Sequence, residues 1–402
     1  MTILLQAVFL ILYTASLGAK LAREQKKKWN PNAVWLSYSG ASSFKACPEK
    51  FYLSKDWQAK GNFSYFVFGS AVECGVTSAL MDRDKEKMLQ AFERNWKAEH
   101  ADDPEKAKPI FDNYEIEYSD GDVDIDLFDK DDDVRLDQWV TEIFNDVTQT
   151  WKPKMFEIFA KMKEKKKFTD DEDKFYKRVA WMSMKKKGEY MLLSFFDQVL
   201  PKIKGLAEID GKPAAQLRID IPSDDGDNIV GYVDYVVEMM DGTIVILDCK
   251  TAAAAYDEHK LLTSEQLKTY AAALSSKFDE QPEIGYLVLV KKLNTEKSCT
   301  NCGALRENSK LKNCVACGEG KYESASYSAE VQLMHRPIEE EEMDLQLEDY
   351  SQIADAVRNK IRYKNPENCF SFRRRCEFYD HCHKGKPLDK LTTIQPKKKG
   401  GR

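Results

Sequence analysis

The stretch that decides the fold is Gly231-Tyr232-Val233-Asp234 and, soon after it, Asp248-Cys249-Lys250. Around it the apolar residues recur with a period of two. Leu217, Ile219 and Ile221 alternate with polar residues, and Ile229 to Met240 and Thr243 to Asp248 read as two strands joined at Met240-Asp241-Gly242. A helix from about Ser264 to Lys277 and a buried strand from Ile284 to Val290 follow. Strand, strand, strand, helix, strand is the order of an α/β core.

In Asp248-x-Lys250 both side chains share one face of a strand, because side chains alternate. Whether Asp234 joins them depends on the turn. A two-residue loop at Asp241-Gly242 would set Asp234 opposite Cys249, on the wrong face. A three-residue loop, Met240-Asp241-Gly242, sets it opposite Asp248 and puts Gly242 at the left-handed position of a bulged turn. The three-residue loop is the expectation. Two carboxylates held together repel unless a cation lies between them, which points to Mg²⁺ or Mn²⁺ with oxygen ligands. Such an ion can activate water and stabilise a pentavalent phosphorus. Lys250 would orient the water or neutralise developing charge, and the Cys249 backbone carbonyl could be a further ligand. The thiols of Cys249 and Cys74 read as buried apolar groups.

The chain has 402 residues with 61 Lys+Arg against 67 Asp+Glu, a net charge of −6, and is 43% hydrophobic. This composition excludes collagen-like and wholly disordered classes and leaves room for two or three units with real cores. An acidic chain does not coat nucleic acid, so any such contact is local. The apolar stretch Ile3 to Ala19, with Lys20, Arg23 and Lys26 to Lys28 after it, has its charge on the wrong side for a secretory signal. A short anchor, a buried helix and a start codon assigned too far upstream remain open for residues 1–30, and a membrane partner is not expected.

Further along, Phe44, Cys47, Phe51 and Tyr52 recur at helical spacing, predicting a helix over 40–54 with Ser39 as its cap. Helices are also expected over 69–80, over 85–99 and throughout 135–200. Glu115 to Asp133 is acidic but lacks the Gly and Glu positions of an EF-hand, and reads as a solvated loop. The basic runs Lys161 to Lys167 and Lys185 to Lys187 read as solvated helix faces, with a polyanion channel as the alternative.

Several of these motifs occur in one order that resembles the RecB-like branch of the PD-(D/E)XK nuclease superfamily. Leu36-Ser37-Tyr38-Ser39 leading to Cys47-Pro48-Glu49-Lys50-Phe51-Tyr52 is similar to the family's opening helix, and Gly69 to Glu73 to its second motif, where the family often has His instead of Glu73. Gly231-x-x-Asp234, Asp248-x-Lys250 and Gln266-x-x-x-Tyr270 match the remaining three. The resemblance covers about residues 36–80 and 205–385. It implies a restriction-endonuclease-like core, a mixed central sheet flanked by helices, carrying a large helical insertion. It also implies Glu73, Asp234 and Asp248 as ligands of Mg²⁺ or Mn²⁺, with Lys250 assisting the water and Gln266 and Tyr270 shaping the site.

Cys299-x2-Cys302-x11-Cys314-x2-Cys317 has the spacing of two thiolate knuckles around a tetrahedral Zn²⁺, a small zinc ribbon with no open coordination position. Cys369, Cys376 and Cys382 need a fourth ligand. In the iron–sulfur members of the resembled branch it comes from the Cys-Pro-x-x-Phe-Tyr helix, where this chain has Cys47. A [4Fe–4S] cluster on Cys47, Cys369, Cys376 and Cys382 is one reading, and zinc with His381 or His383 the other.

The resulting organisation is residues 1–30, an apolar segment; 36–99, the nuclease's N-terminal helices; 100–204, a helical insertion; 205–295, the catalytic core; 296–320, the zinc ribbon; 321–390, a return strand, helix and cysteine cluster; and 391–402, a flexible basic tail. The expected activity is that of a metal-dependent deoxyribonuclease, an exonuclease acting on DNA ends or single strands in recombination, repair or viral DNA processing. Its expected setting is the cytoplasm of a bacterial or virus-infected cell. No phosphate-loop motif is present, so unwinding would come from a separate helicase or recombination partner. The competing reading is an inactive DNA-binding scaffold that recognises DNA through the zinc ribbon.

Overall fold

A computed structural model describes residues 33–59, 64–97, 157–158, 160–161, 166–222, 227–306, 311, 313–373 and 375–397. The readings for residues 1–30, for the acidic stretch 115–133 and for most of the insertion lie outside these residues. Among the described residues no helix is long and apolar enough to cross a membrane.

The chain begins with strand β1 (Trp35–Leu36), helices α1 (Tyr38–Ala46) and α2 (Pro48–Asp56), strand β2 (Trp57–Ala59), and helices α3 (Ser64–Asp82) and α4 (Lys85–Lys97). Helix α5 (Asp170–Gln198) opens on a capping box made by Thr169 and Glu172. Strand β3 (Ile203–Leu206), the small hairpin β4 (Glu208–Ile209) and β5 (Lys212–Pro213), and strands β6 (Ala215–Pro222), β7 (Asn228–Met239) and β8 (Ile244–Ala252) follow. Helices α6 (Glu258–Leu262) and α7 (Glu265–Leu274) lead to β9 (Glu283–Cys299) and β10 (Tyr322–Arg336). The chain closes with α8 (Glu340–Arg358), α9 (Tyr379–Lys384) and β11 (Ile394–Pro396).

Seven strands form one mixed sheet in the order β1-β7-β8-β9-β10, with β3 and β6 also paired to β7. The β7–β8 hairpin is antiparallel, with Tyr235 opposite Leu247 and Glu238 opposite Ile244. Met239 N–H donates to the Thr243 carbonyl at 2.8 Å and Gly242 N–H to the Met239 carbonyl at 3.0 Å. The loop is therefore Met240-Asp241-Gly242, the three-residue form, and Gly242 sits at φ +92° where a β-carbon would be strained. Strand β9 runs parallel to β8, with Tyr286 beside Asp248 and Val288 beside Lys250. A parallel neighbour requires a crossover, supplied here by α6 and α7.

Alternation then assigns each face. Val245 and Leu247 of β8, with Tyr235 and Val237 of β7 and Leu287 and Leu289 of β9, pack under Val72 and Val76 of α3, Phe92 and Trp96 of α4, and Leu192 and Phe195 of α5. Ile246, Val236, Ile284 and Val288 pack on the other face under Leu267, Tyr270, Ala271 and Leu274 of α7. Asp248 and Lys250 share parity with Ile246 and so emerge where this second layer ends.

Five expectations are corrected. The helix over 40–54 is two helices, because Cys47, at φ −162° and ψ 104°, precedes Pro48, and the proline ring disfavours helical geometry in the residue before it. The cap is Ser37 rather than Ser39, its hydroxyl accepting from Gly40 N–H at 3.0 Å. The strand expected over 284–290 continues to Cys299. Beyond Val290 it leaves the core, so its residues lose the continuous apolar run, yet β10 pairs with it along nearly its whole length. The tail from 391 is not wholly free, since Ile394–Pro396 pairs antiparallel with Trp57–Ala59 and Leu391 and Ile394 are buried. The run at 185–187 is neither a solvated face nor free to line a channel: Lys185 pairs with Glu93 of α4 at 2.9 Å, Lys186 with Glu189 within α5 at 3.1 Å, and Lys187 is buried.

Candidate active site

Strands β7 and β8 stay paired only as far as Tyr235 and Leu247 and then part. In the gap Asp234 turns its carboxylate inward, and Oδ2 accepts the Cys249 backbone N–H at 2.8 Å, replacing the carbonyl a continued ladder would offer. The carboxylate is thus locked beside Asp248, directly across the hairpin. Asp248 is fully buried. Its Oδ1 accepts from Lys250 Nζ at 2.8 Å. Its Oδ2 lies 2.7 Å from the same nitrogen but has no partner in hydrogen-bonding geometry. Lys250 keeps 38% of its side chain exposed, so the site opens to solvent on that side.

Glu73 reaches the pair from α3, whose backbone is pinned to β7 by the Tyr235 hydroxyl donating to the Glu73 carbonyl at 2.9 Å. Burial, and next the neighbouring Asp234 charge, push the Glu73 carboxyl up to about 7. Burial also raises Asp234. Asp248 is pushed up to about 6, by burial above all and by Asp234 besides, against the pull of Lys250. Burial works against the Lys250 ammonium, but the Asp248 charge and hydrogen bond outweigh it and raise its pKa. Three carboxyls that resist ionising together make a hard, anionic donor set, although their oxygens do not converge within the range of a single ion as the thiols of Cys299, Cys302, Cys314 and Cys317 do.

Gln266 and Tyr270 share a face of α7, the Gln266 amide donating to the Tyr270 hydroxyl at 2.6 Å. Burial raises the Tyr270 phenol, and the charges of Asp248 and Asp234 also act on it. Three neighbours were not foreseen. Tyr38 and Tyr256 also feel Asp248 and Lys250. Gln216 donates its amide to Glu73 Oε1 and stands opposite Asp234 across β6 and β7. Tyr38 stands inside the opening motif, which was a usable signal. Gln216 looks like any solvent-facing residue of an alternating strand, and no sequence signal marks it.

The thiols of Cys299, Cys302, Cys314 and Cys317 all lie within 4.8 Å of one another. Cys299 and Cys317 sulfurs are 3.5 Å apart and those of Cys302 and Cys314 are 3.6 Å apart. Four sulfurs about 2.3 Å from one tetrahedral ion would stand roughly 3.8 Å apart, so this cage fits a single metal ion. Each Cys-x2-Cys pair closes as a turn, with Gly303 N–H donating to the Cys299 carbonyl at 2.9 Å and Gly318 N–H to the Cys314 carbonyl at 2.8 Å. At Gly320 a β-carbon would fall 2.1 Å from the Cys299 sulfur, so only glycine lets the second turn come this close.

The C-terminal cysteines form a looser set. Cys376 N–H donates to the Cys369 carbonyl at 2.7 Å. Cys47, at the break between α1 and α2, and Cys369 both raise Cys382 by charge, after burial. Leu53, Phe378, Leu391 and Ile394 shield Cys376 and Cys382 from water. His383 Nε2 is 3.3 Å from the Cys369 sulfur, whereas His381 Nδ1 is 2.9 Å from the Lys386 carbonyl. Among the described residues only the Cys299 group draws three or more metal-binding atoms within single-ion range. A cubane cluster holds its thiolates farther apart than one ion does, because iron and sulfide intervene.

No curated protein matches the chain. The family model of the PD-(D/E)XK nuclease superfamily matches residues 132–383. The match takes in Asp234, Asp248, Lys250, Gln266, Tyr270 and all the cysteines of both groups except Cys47, and it begins after Glu73. With more than half of its length in this match and an α/β core whose mixed sheet is flanked by helices, the chain belongs to the PD-(D/E)XK nuclease superfamily.

Proposed function

We propose that the chain is a divalent-metal-dependent deoxyribonuclease of the RecB-like branch, an exonuclease acting on DNA ends or single strands in recombination, repair or viral DNA processing. The observation that carries this reading is the fully buried Asp248 carboxylate, set across the hairpin from Asp234 and ion-paired with Lys250, with Glu73 close enough to feel all three charges. Glu73, Asp234 and Asp248 would hold Mg²⁺ or Mn²⁺. In an extended strand the N–H and C=O of one residue share an edge, so the Cys249 carbonyl lies on the same edge as the N–H that Asp234 accepts and offers a further oxygen. The bound ion would supply an activated water and charge stabilisation at phosphorus.

The chain's own part is positional. Lys250 stays protonated against Asp248 and presents its solvent-facing ammonium where a phosphate oxygen gains charge. Gln266 and Tyr270 wall the second side of the site and orient the strand to be cut. We assign Zn²⁺ to Cys299, Cys302, Cys314 and Cys317, and a [4Fe–4S] cluster to Cys47, Cys369, Cys376 and Cys382. Burial raises the Cys369, Cys376 and Cys382 thiols, and the charges of Lys50 and Lys364 oppose it only in part. Both groups are structural ties, and a separate helicase would supply unwinding.

The test is cleavage of end-labelled single- and double-stranded DNA by anaerobically purified protein with Mg²⁺, Mn²⁺ or chelator, beside Lys250→Ala. Metal-dependent degradation lost in the variant supports the assignment. DNA binding with no cleavage by either protein would replace it with the scaffold reading.

A further inference from the structure

Four non-glycine residues among those described adopt left-handed backbone: Arg83, Asp210, Gln216 and Lys360. Arg83 and Lys360 follow helix ends and Asp210 lies in the β4–β5 turn, where such geometry is ordinary. Gln216, at φ +50°, is inside strand β6, with regular pairs on either side, Ala215 to Tyr235 and Leu217 to Val233. A β-carbon makes this conformation unfavourable, and residues kept in it cluster where function needs them. A local kink of this kind re-aims a side chain. Here the amide donates to Glu73 Oε1, and the pairs on either side set Gln216 directly opposite Asp234, at the parted end of the β7–β8 hairpin.

Glu73 arrives from a helix and Asp234 from a strand, so no shared backbone element fixes the distance between them. Like charges would turn away toward water. One neutral amide between them holds them facing without adding a charge that would compete with a cation. We propose that Gln216 is a positioning residue that preorganises the Glu73–Asp234 pair for the divalent ion, and that its strained backbone is retained for this purpose. The inference rests on the nuclease reading and extends it to a residue outside the motifs.

Gln216→Gly removes the amide and relieves the backbone at once, and Gln216→Ala removes the amide alone. Mn²⁺ affinity is read from the free-ion resonance signal, stability from thermal melting, and kcat and KM from DNA cleavage across Mn²⁺ concentrations. The expected result is a Mn²⁺ Kd about tenfold weaker in both variants, with the glycine variant melting no lower than wild type. Its kcat should recover at saturating Mn²⁺ and its KM for DNA stay unmoved. Unchanged Mn²⁺ affinity in the glycine variant overturns the proposal. So does a melting loss in both variants that accounts for the weaker binding, because the side chain would then only brace the kinked strand. A wild-type protein that binds no Mn²⁺ would sink the nuclease reading itself, a result separable from either of these.

Discussion

Cation binding at the carboxylate site should depend on pH with a definite sign and size. Without the ion, Glu73 sits at about 7 and Asp248 at about 6, because burial and mutual repulsion favour their protonated forms. A cation binds the ionised forms, so affinity must climb as pH rises through this window and level off above it. From pH 6 to pH 8 the ionised fraction of Glu73 grows roughly tenfold and that of Asp248 about twofold, so the Mn²⁺ Kd should fall by on the order of 20-fold. At pH 7 binding should release about half a proton or more. Titration of free Mn²⁺ at pH 6, 7 and 8 measures the first, and calorimetry in two buffers of different ionisation enthalpy measures the second. Glu73→Gln should remove most of the pH dependence. An affinity flat within twofold across this range, with no proton release, would refute the electrostatic account of the site.

Lys250→Ala should lower kcat by about 100-fold or more while leaving the far-ultraviolet spectrum unchanged, since it removes a charge near the reacting phosphate; a loss under fivefold would reject that role. Glu342 is held to about 2 by the Arg336 hydrogen bonds and, further, by Lys268. Its contribution is present above the ordinary glutamate range near 4.5 and is lost as pH falls through about 2, so Glu342→Gln should destabilise by on the order of 2 kcal/mol at pH 6. Melting curves of the two proteins should converge toward pH 2, and a gap that persists there counts against the linkage. At Gly188 a β-carbon would stand 2.3 Å from the buried Phe92 ring, so Gly188→Ala should cost about 1–3 kcal/mol without changing metal affinity; calorimetry would show a melting point at least several degrees lower. Cys314→Ser should release one equivalent of zinc to a colorimetric chelator and loosen the ribbon tip, leaving the Mn²⁺ affinity of the carboxylates in place.

The β7–β8 hairpin was legible because one residue settles it. Gly242 permits the left-handed turn position, that turn sets the register, and the register puts Asp234 across from Asp248. Asp248 and Lys250 followed from alternation alone. What escaped had no local signature. The parting of β7 from β8, which frees Asp234 to bond Cys249, arises from tertiary packing, and so does the re-aimed Gln216. Pro48 did carry a signal, since the residue before a proline avoids helical backbone, but the apolar spacing of Phe44, Phe51 and Tyr52 ran across the break. The outer half of β9 is held by its partner's backbone and by the four-cysteine cage at its tip, neither of which an apolar pattern records.

That long strand also sets a length scale. Tyr286, hydrogen-bonded in register beside Asp248, and Cys299, in the thiol cage, belong to the same unbroken strand. At about 3.3 Å per residue the contour between them is roughly 40 Å, comparable to a dozen steps of duplex DNA. The cage and the carboxylates therefore lie toward opposite ends of one ribbon, which is interrupted by register shifts at Ala329/Val331 and Ser324/Ser326. Shortening the β9–β10 ribbon by pairs of residues would draw the cage toward the carboxylates in steps of about 7 Å.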